Sequence, residues 1–504
     1  MNAGASSDKK PMYSSPEDQG MDSVTLGDLI SYIQKSNITI RSVLVSRNDN
    51  IVLETYFHPF SREDRTLAAS VTKSIISALV GIAVDNGFIK DIDQKIGGFF
   101  PEFTFLREET KKQDITIRHL LTMSSGLQWD DGEDQAEMMT RSDCAEYVLS
   151  RPLAEKPGAV FNYNSGGAHV LSVLLTRATG MNTRKFAEKY LFAPLGITDF
   201  DWKPAPDGVA AGGNLIFLRP QDMLTFGLLY LHRGKWNGRQ LIPSHWVAES
   251  TKNRIKPPWD REDETLGYGY LWWNAAGKNK PPYFSADGYG GQIIAVMPEK
   301  NLVTVITAHL TEPDLMGIPY SLLGRFIIPA LQSDTALPVN RAASDELTRL
   351  CRWTEKPEGI APPTMPQTAS IISGNTYVFA ANSSKLQSLL LRFTGTGEAV
   401  LTLAYADTAV NIPVGLDNRY RTSRVPRLVE KTEYFHDFIA EKVGFKGEWE
   451  NNSTFVISMA PINLSVFIYF MKLEFNNDRV HLSVFRKEFP ELDLDIVGVS
   501  VKQG

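Results

Sequence analysis

The chain of 504 residues is 43% hydrophobic and carries a net charge of −6, so it can bury a sizeable core in two or three domains. It offers no basic excess for nucleic acid or an acidic membrane surface, and no apolar run reaches the roughly 20 residues of a membrane span. Its two cysteines, Cys144 and Cys351, are too few for a disulfide framework or a cysteine-built zinc site.

The opening MNAGASSDKKPMYSSPEDQG is polar and lacks a signal-peptide core. The compartment is therefore left open: periplasmic or secreted if an export signal has been removed, cytoplasmic otherwise. Residues 1–22 read as a loose tail. RSVLVSRNDNIVLETYF, residues 41–57, predicts two alternating strands joined around Asn48-Asp49-Asn50. LAASVTKSIISALVGIAVDNG, residues 67–87, predicts a packed helix, because Ile75, Ile76, Leu79, Ile82 and Ala83 recur at helical spacing. Residues 115–250 read as mostly helical, with loops at SSGLQWDDGED and KPGAVFNYNSGG. YGYLWWN, GGQIIAVMP and NLVTVIT then predict three strands, and YSLLGRFIIPAL a closing helix. Strands and a helix at both ends of residues 23–353 predict one α/β (α+β) domain, a sheet flanked by helices with an inserted helical region. TEKPEGIAPPTMPQTA, residues 354–369, is a Pro-rich linker. Residues 370–504 alternate like strands, which predicts an all-β accessory domain, a sandwich or a small barrel.

Ser70 and Lys73 stand three apart and share a helix face. Ser-x-x-Lys occurs three times, but Ser6–Lys9 and Ser7–Lys10 fall in the tail. Two readings of Ser70 compete. It can be a helix N-cap, with Lys73 snorkelling to solvent. It can instead be a nucleophile: Ala68 and Ala69 leave room for a substrate, and the helix start offers N–H groups and a positive dipole end to an oxyanion. A desolvated lysine loses proton affinity and can take the serine proton. Competing chemistries lack their residues. None of the eight histidines has metal-site spacing, and His119 reads as structural. No Gly-x-Ser-x-Gly elbow, Walker or Rossmann pattern is present. WDDGEDQAE, residues 129–137, reads as a solvated rim loop rather than a metal site, and no metal or organic cofactor is called for. Trp129, Trp272 and Trp273 are candidates for a pocket wall or for the core.

Several stretches join the tetrad in a consistent order: ITIRHLLTMSSGLQWDD at 115–131, PGAVFNYNSGGAHVLSVLLTRATG at 157–180, YGYLWW at 268–273 and ADGYGGQIIAVMPEKNLVTVIT at 286–307. Over roughly residues 20–335 the chain resembles the penicillin-recognising serine hydrolases: class C β-lactamases, D-Ala-D-Ala carboxypeptidases, family VIII esterases and 6-aminohexanoate-dimer hydrolases. The resemblance implies a β-lactamase/transpeptidase-like fold with Ser70 as nucleophile, Lys73 as general base and Tyr163 as proton carrier. It further implies backbone N–H groups of Ser70 and Tyr289 as oxyanion donors, and Gly288 and Ser165 at the substrate, where Trp129 is the further candidate from its residue type. Beside a lysine, Tyr163 is expected to titrate well below its usual value of about 10. Tyr163-Asn164-Ser165 is similar to the Tyr-x-Ser pattern of the 6-aminohexanoate-dimer hydrolase branch.

The third family motif, Lys-Thr-Gly or His-x-Gly, is here Ala286-Asp287-Gly288. The missing cation removes a charge-assisted contact to a substrate carboxylate, worth roughly 1.5–3 kcal/mol. The expectation is an acyl-enzyme esterase or amidase acting on small, weakly anionic substrates. The alternatives are a β-lactamase or D-amino-acid peptidase of the same fold, and a non-catalytic binding or scaffold protein. Loops 128–142 and 252–266 are expected to shape the pocket. The C-terminal block resembles the lipocalin-like domain that follows the hydrolase domain in some relatives, which makes a homo-oligomer through that block a further expectation.

Overall fold

A computed structural model describes residues 12–36, 38–109, 111–261, 264–277, 280–362, 364–395, 397–424, 442–464, 468–486 and 492–501. The first eleven residues of the expected tail, with their two Ser-x-x-Lys tetrads, lie outside the described residues. The described residues form two units: those up to Thr55 with Leu67–Thr348, and Tyr56–Thr66 with those from Arg349 onward. None of their helices is long and apolar enough to cross a membrane.

In the first unit the elements that matter are α1 (Ser23–Lys35), β1 (Thr39–Arg47), β2 (Asn50–Tyr56), α2 (Val71–Asp85), α3 (Ser165–Thr179), α4 (Pro220–Leu231), β3 (Glu264–Tyr268), β4 (Trp273–Gly277), β5 (Lys280–Gly288), β6 (Gln292–Met297) and β7 (Leu302–His309). The sheet runs β2-β1-β7-β6-β5-β4-β3, with a short parallel strand, Met12–Tyr13, outside β2. From β1 to β3 every neighbouring pair is antiparallel. The expected hairpin turns at Asn48 and Asp49, whose φ of 49° and 66° are the signature of a two-residue loop matched to strand twist.

The alternation of β1 does not mean one wet face. Nearly every residue of β1, β6 and β7 is buried, so the sheet is covered on both sides. Among the polar members, Ser42 Oγ is paired across strands with Thr307 Oγ1 at 2.7 Å. YGYLWWN, expected as one strand, is split: Tyr268 ends β3 and Trp273 begins β4. The turn between them spends its backbone elsewhere, Leu271 donating to Leu121 O and accepting from Ser74 Oγ. β5 is not among the three strands expected from composition, and its sequence carries two potential breakers, Pro281 and Pro282. They sit at its irregular start, where the register against β4 shifts and a missing N–H is tolerated.

α2 is buried along its length from Val71 to Ala83 and packs against α3, β5 and β6. Each large apolar side chain so buried contributes about 1.5–3 kcal/mol, and this fixes the residues at its N-terminal end. In the second unit, nine strands among the described residues, from Thr376–Phe379 to Leu492–Val501, close into a barrel through the pairing of Ala409–Gly415 with Val443–Trp449. Along Glu398–Ala404 and Tyr469–Asn476 buried residues alternate with more exposed ones, as a barrel wall requires. Of the two open readings of this block, the barrel is the one observed.

Candidate active site

Ser70 precedes α2 at a strained corner. Ala69, a non-glycine residue, has a φ of 47°, which costs about 1–2 kcal/mol for a side chain with a Cβ. Ser70 itself is already helical (φ −69°, ψ −5°), and its side chain makes no capping hydrogen bond. Its hydroxyl meets Lys73 instead, with Nζ 2.9 Å from Ser70 Oγ. Lys73 does not snorkel; the residue is 2% exposed. Its ammonium lies 2.8 Å from Ser165 Oγ and 2.7 Å from Gly213 O, and 4.8 Å from the centre of the Tyr163 ring. Burial pulls its pKa down to about 8, against the opposing pull of Asp131. A large fraction of Lys73 is therefore neutral near pH 8, one turn from a serine hydroxyl.

Tyr163 and Ser165 arrive at this point because Asn164 caps α3, its side chain accepting from Gly167 N at 2.6 Å. The preceding loop is laced to the SSGLQW segment: Asn162 N donates to Met123 O at 2.7 Å, and Asn162 Nδ2 to Trp129 O at 3.2 Å. Tyr163 stacks on Trp273, with ring centres 6.0 Å apart and planes 19° apart. The expected lowering of its pKa does not occur. Burial raises it, the carboxylates Asp131 and Asp287 add to that, and an interaction with Ser70 only partly opposes them. Tyr163 is thus held as a neutral phenol, able to donate a proton but poorly suited to accept one as phenolate.

Asp131, read from sequence as part of a solvated rim, belongs to this cluster. It accepts from Ser165 N (2.7 Å) and Trp129 Nε1 (2.9 Å) through Oδ1, and from Ser165 Oγ (2.8 Å) through Oδ2. Trp129 is not a wall of the cavity: it is buried behind Asp131 and orients it. Trp272 is core, packed with Phe226, Tyr230 and Phe284.

A cavity of about 640 Å³ opens over Ser70 and Tyr163, with Asp131, Asp287, Gly288, Tyr289, Trp259 and Trp273 among the residues lining it. Ala286, at the cation slot of the family motif, is fully buried, and the neighbouring Asp287 lines the cavity. Arg261 pairs with Asp287 at 2.7 Å and lies over the Tyr320 ring at 3.4 Å. The end of β5 presses on the backbone ahead of the serine: a Cβ on Gly288 would meet Ala68 O at 2.3 Å. Sequence reasoning missed Asp131, Arg261, Tyr320 and Gly213. The WDD run carried a signal for the first; nothing in the sequence marks Gly213, which acts through its carbonyl.

Among the described residues one group offers three metal-ligand atoms, Cys144, His169 and Asp207, all within 4.8 Å of one another. His169 Nδ1 faces the Gly212 N–H at 3.3 Å, and Nε2 lies 2.8 Å from Asp207 Oδ2. The first contact makes Nδ1 the acceptor, so the ring proton sits on Nε2 and points at Asp207. Burial pushes the Cys144 thiol up to about 12, away from the thiolate a metal needs. The group closes on itself as a hydrogen-bonded cluster.

A helix-flanked antiparallel sheet, with a serine at the start of a buried helix and a lysine one turn on, is the architecture of the β-lactamases and penicillin-binding proteins. The sequence profile of the Beta-lactamase family matches residues 32–319, and the chain belongs to that family, whose members include serine hydrolases. It is 23% identical over 295 residues to the 6-aminohexanoate-dimer hydrolase of Paenarthrobacter ureafaciens, a match covering 54% of this chain and 73% of that protein. In fold it is similar to a putative 6-aminohexanoate-dimer hydrolase from Bacillus anthracis, with a TM-score of 0.53 and 18% identity over 64% of this chain and 87% of the other. It is also similar in fold to the octameric penicillin-binding protein homologue of Pyrococcus abyssi. There the TM-score is 0.50 at 15% identity, with 94% of this chain and 99% of the other covered.

Proposed function

We propose that this chain is a serine hydrolase that forms an acyl-enzyme on Ser70 from a small ester or amide with an apolar, uncharged acyl part. The observation that carries the reading is the 2.9 Å contact of Ser70 Oγ with a fully buried lysine amine. In this scheme Lys73 takes the Ser70 proton as the oxygen–carbonyl bond forms. The N–H groups of Ser70 and Tyr289 hold the oxyanion, with Gly288 letting the substrate lie against the end of β5. Breakage of the bond to the alcohol or amine returns the proton through neutral Tyr163, and water then releases the acid by the same groups. No metal or organic cofactor enters the balance.

Substrate class follows from the cavity walls. Asp131 and Asp287 line the cavity with Ser70, and among its described lining residues the one cation, Arg261, is already paired and stacked. A substrate carboxylate would meet more negative than free positive charge, which disfavours β-lactams and peptides ending in free D-alanine. The aromatic wall of Trp259, Trp273 and Tyr289 suits an apolar acyl group. The barrel is proposed as an accessory and oligomer-forming module, in line with the octameric relative. A purely scaffolding role leaves unexplained why serine, lysine and tyrosine all converge.

The test is hydrolysis of a short-chain p-nitrophenyl ester beside a chromogenic cephalosporin, for wild type and Ser70→Ala. Ester turnover lost in the variant, with little cephalosporin cleavage, is expected. Cephalosporin turnover as fast as ester turnover would move the reading to β-lactamase. Ester turnover that survives Ser70→Ala would remove Ser70 as the nucleophile.

A further inference from the structure

Lys73 Nζ has three neighbours in hydrogen-bonding reach, and two of them can only accept from it. Gly213 O, at 2.7 Å, is a carbonyl and has no proton to give. Ser165 Oγ, at 2.8 Å, has one proton, and the Asp131 carboxylate claims it at 2.8 Å. The other Asp131 oxygen is occupied by Ser165 N and Trp129 Nε1, so the carboxylate is fixed at both ends. With its only proton spent, Ser165 turns a lone pair toward Lys73. A neutral amine has two N–H bonds and one lone pair. Both N–H bonds are taken by Gly213 and Ser165, and the direction that remains is toward Ser70 Oγ.

We propose that Asp131 is a positioning residue for the general base: by holding the Ser165 proton it leaves the Lys73 lone pair only Ser70 to face. The reasoning rests on the acyl-enzyme reading of Ser70 and Lys73. When the ammonium gives up a proton, the one facing Ser70 goes, because the other two are held by acceptors. The same amine then removes the hydroxyl proton from Ser70 as Oγ attacks. Two carbonyl and carboxylate acceptors thus set the direction of a proton transfer that neither touches. The charged and titratable groups around the amine are Asp131 on the loop ahead of the short helix Glu133–Met138, Tyr163 over its face, Asp287 with its partner Arg261 across the cavity, and His169 behind Gly212.

Asp131→Asn is the direct probe. The carboxamide keeps one oxygen for Ser165 N and Trp129 Nε1, but its NH2 can donate to Ser165 Oγ. The Ser165 hydroxyl is then free to donate to Lys73 and compete with Ser70 for the lone pair. Loss of the negative charge also lowers the proton affinity of the lysine. The assay is the second-order rate of Ser70 labelling by an alkyl fluorophosphonate from pH 6 to 10, for wild type, Asp131→Asn, Ser165→Ala and the double variant.

Asp131→Asn is expected to lower the high-pH plateau roughly 100-fold, within the range of general-base contributions, and to move the acid limb to lower pH. In the Ser165→Ala background the same change is expected to cost only a few-fold, because the competing hydroxyl is gone. Equal costs in both backgrounds, or an acid limb that stays in place, would overturn the proposal while leaving the nucleophile intact. Absence of labelling in wild type would overturn the acyl-enzyme reading and the proposal with it.

Discussion

A base kept neutral by burial destabilises the fold that buries it, and Lys73 allows the size and sign of this to be measured. Its pKa falls from the usual 10.5 to about 8, a difference corresponding to about 3 kcal/mol. Desolvation is the leading cause. Below pH 8 the folded and unfolded chains both carry the proton, and the full penalty applies. Between pH 8 and 10.5 the unfolded chain still binds a proton that the folded chain has released. Stability therefore rises with pH across that window. Lys73→Met keeps the length and apolar stem and removes the charge. It leaves Gly213 O without its donor, which costs about 1–3 kcal/mol, while Ser165 keeps Asp131. At pH 7 the variant should thus be as stable as wild type or more stable by up to about 2 kcal/mol, while losing Ser70 labelling entirely. On raising the pH to 10.5 the balance should shift toward wild type by about 3 kcal/mol. Urea unfolding of both proteins at pH 7, 8, 9 and 10, followed by far-ultraviolet circular dichroism, reads the difference directly. Stability curves that run parallel within about 1 kcal/mol would refute the claim that burial holds this amine neutral.

Two other substitutions probe the walls of the site. Gly288→Ala puts a methyl group 2.3 Å from Ala68 O, a backbone contact that cannot rotate away; it should cost about 1–3 kcal/mol and slow Ser70 labelling at least 10-fold, about 1.4 kcal/mol in barrier, whereas wild-type labelling would mean that β5 does not brace the serine corner. Asp287→Asn releases Arg261 from its charged partner, so the rate on a succinate half-ester should rise about 10-fold relative to a neutral butyrate ester, as expected for one recovered charge-assisted contact; an unchanged ratio would show that Arg261 is out of reach of the acyl group.

Much of the fold is written locally. The Asn48–Asp49 turn, the apolar spacing behind Ser70 and the alternation of the C-terminal strands are each contained within some twenty residues, and each appears where periodicity and turn chemistry place it. What escaped was long-range. YGYLWWN has the composition of a strand, but Ser74 and Leu121 from elsewhere in the chain capture the backbone of Leu271. Pro281 and Pro282 break a strand on paper and merely begin β5 in the fold.

The site divides in the same way. Ser70 and Lys73 share a helix turn, so their spacing is visible in four letters. The electrostatics that act on them come from residues 131, 163, 165, 213 and 287, which only folding gathers. That is why Tyr163 was expected to ionise readily: the lysine beside it is evident from the motif, whereas Asp131 and Asp287, which with burial reverse the shift, are not. The reversal alters the chemistry assigned to each group. In the proposed mechanism, a phenol that cannot readily become phenolate leaves Lys73 as the group to take the Ser70 proton near pH 8, and leaves Tyr163 to donate. The acidic side of any pH profile should then report the lysine, and no tyrosine ionisation should appear at or below pH 10. A labelling profile with a second rise near pH 10 would return the base role to Tyr163.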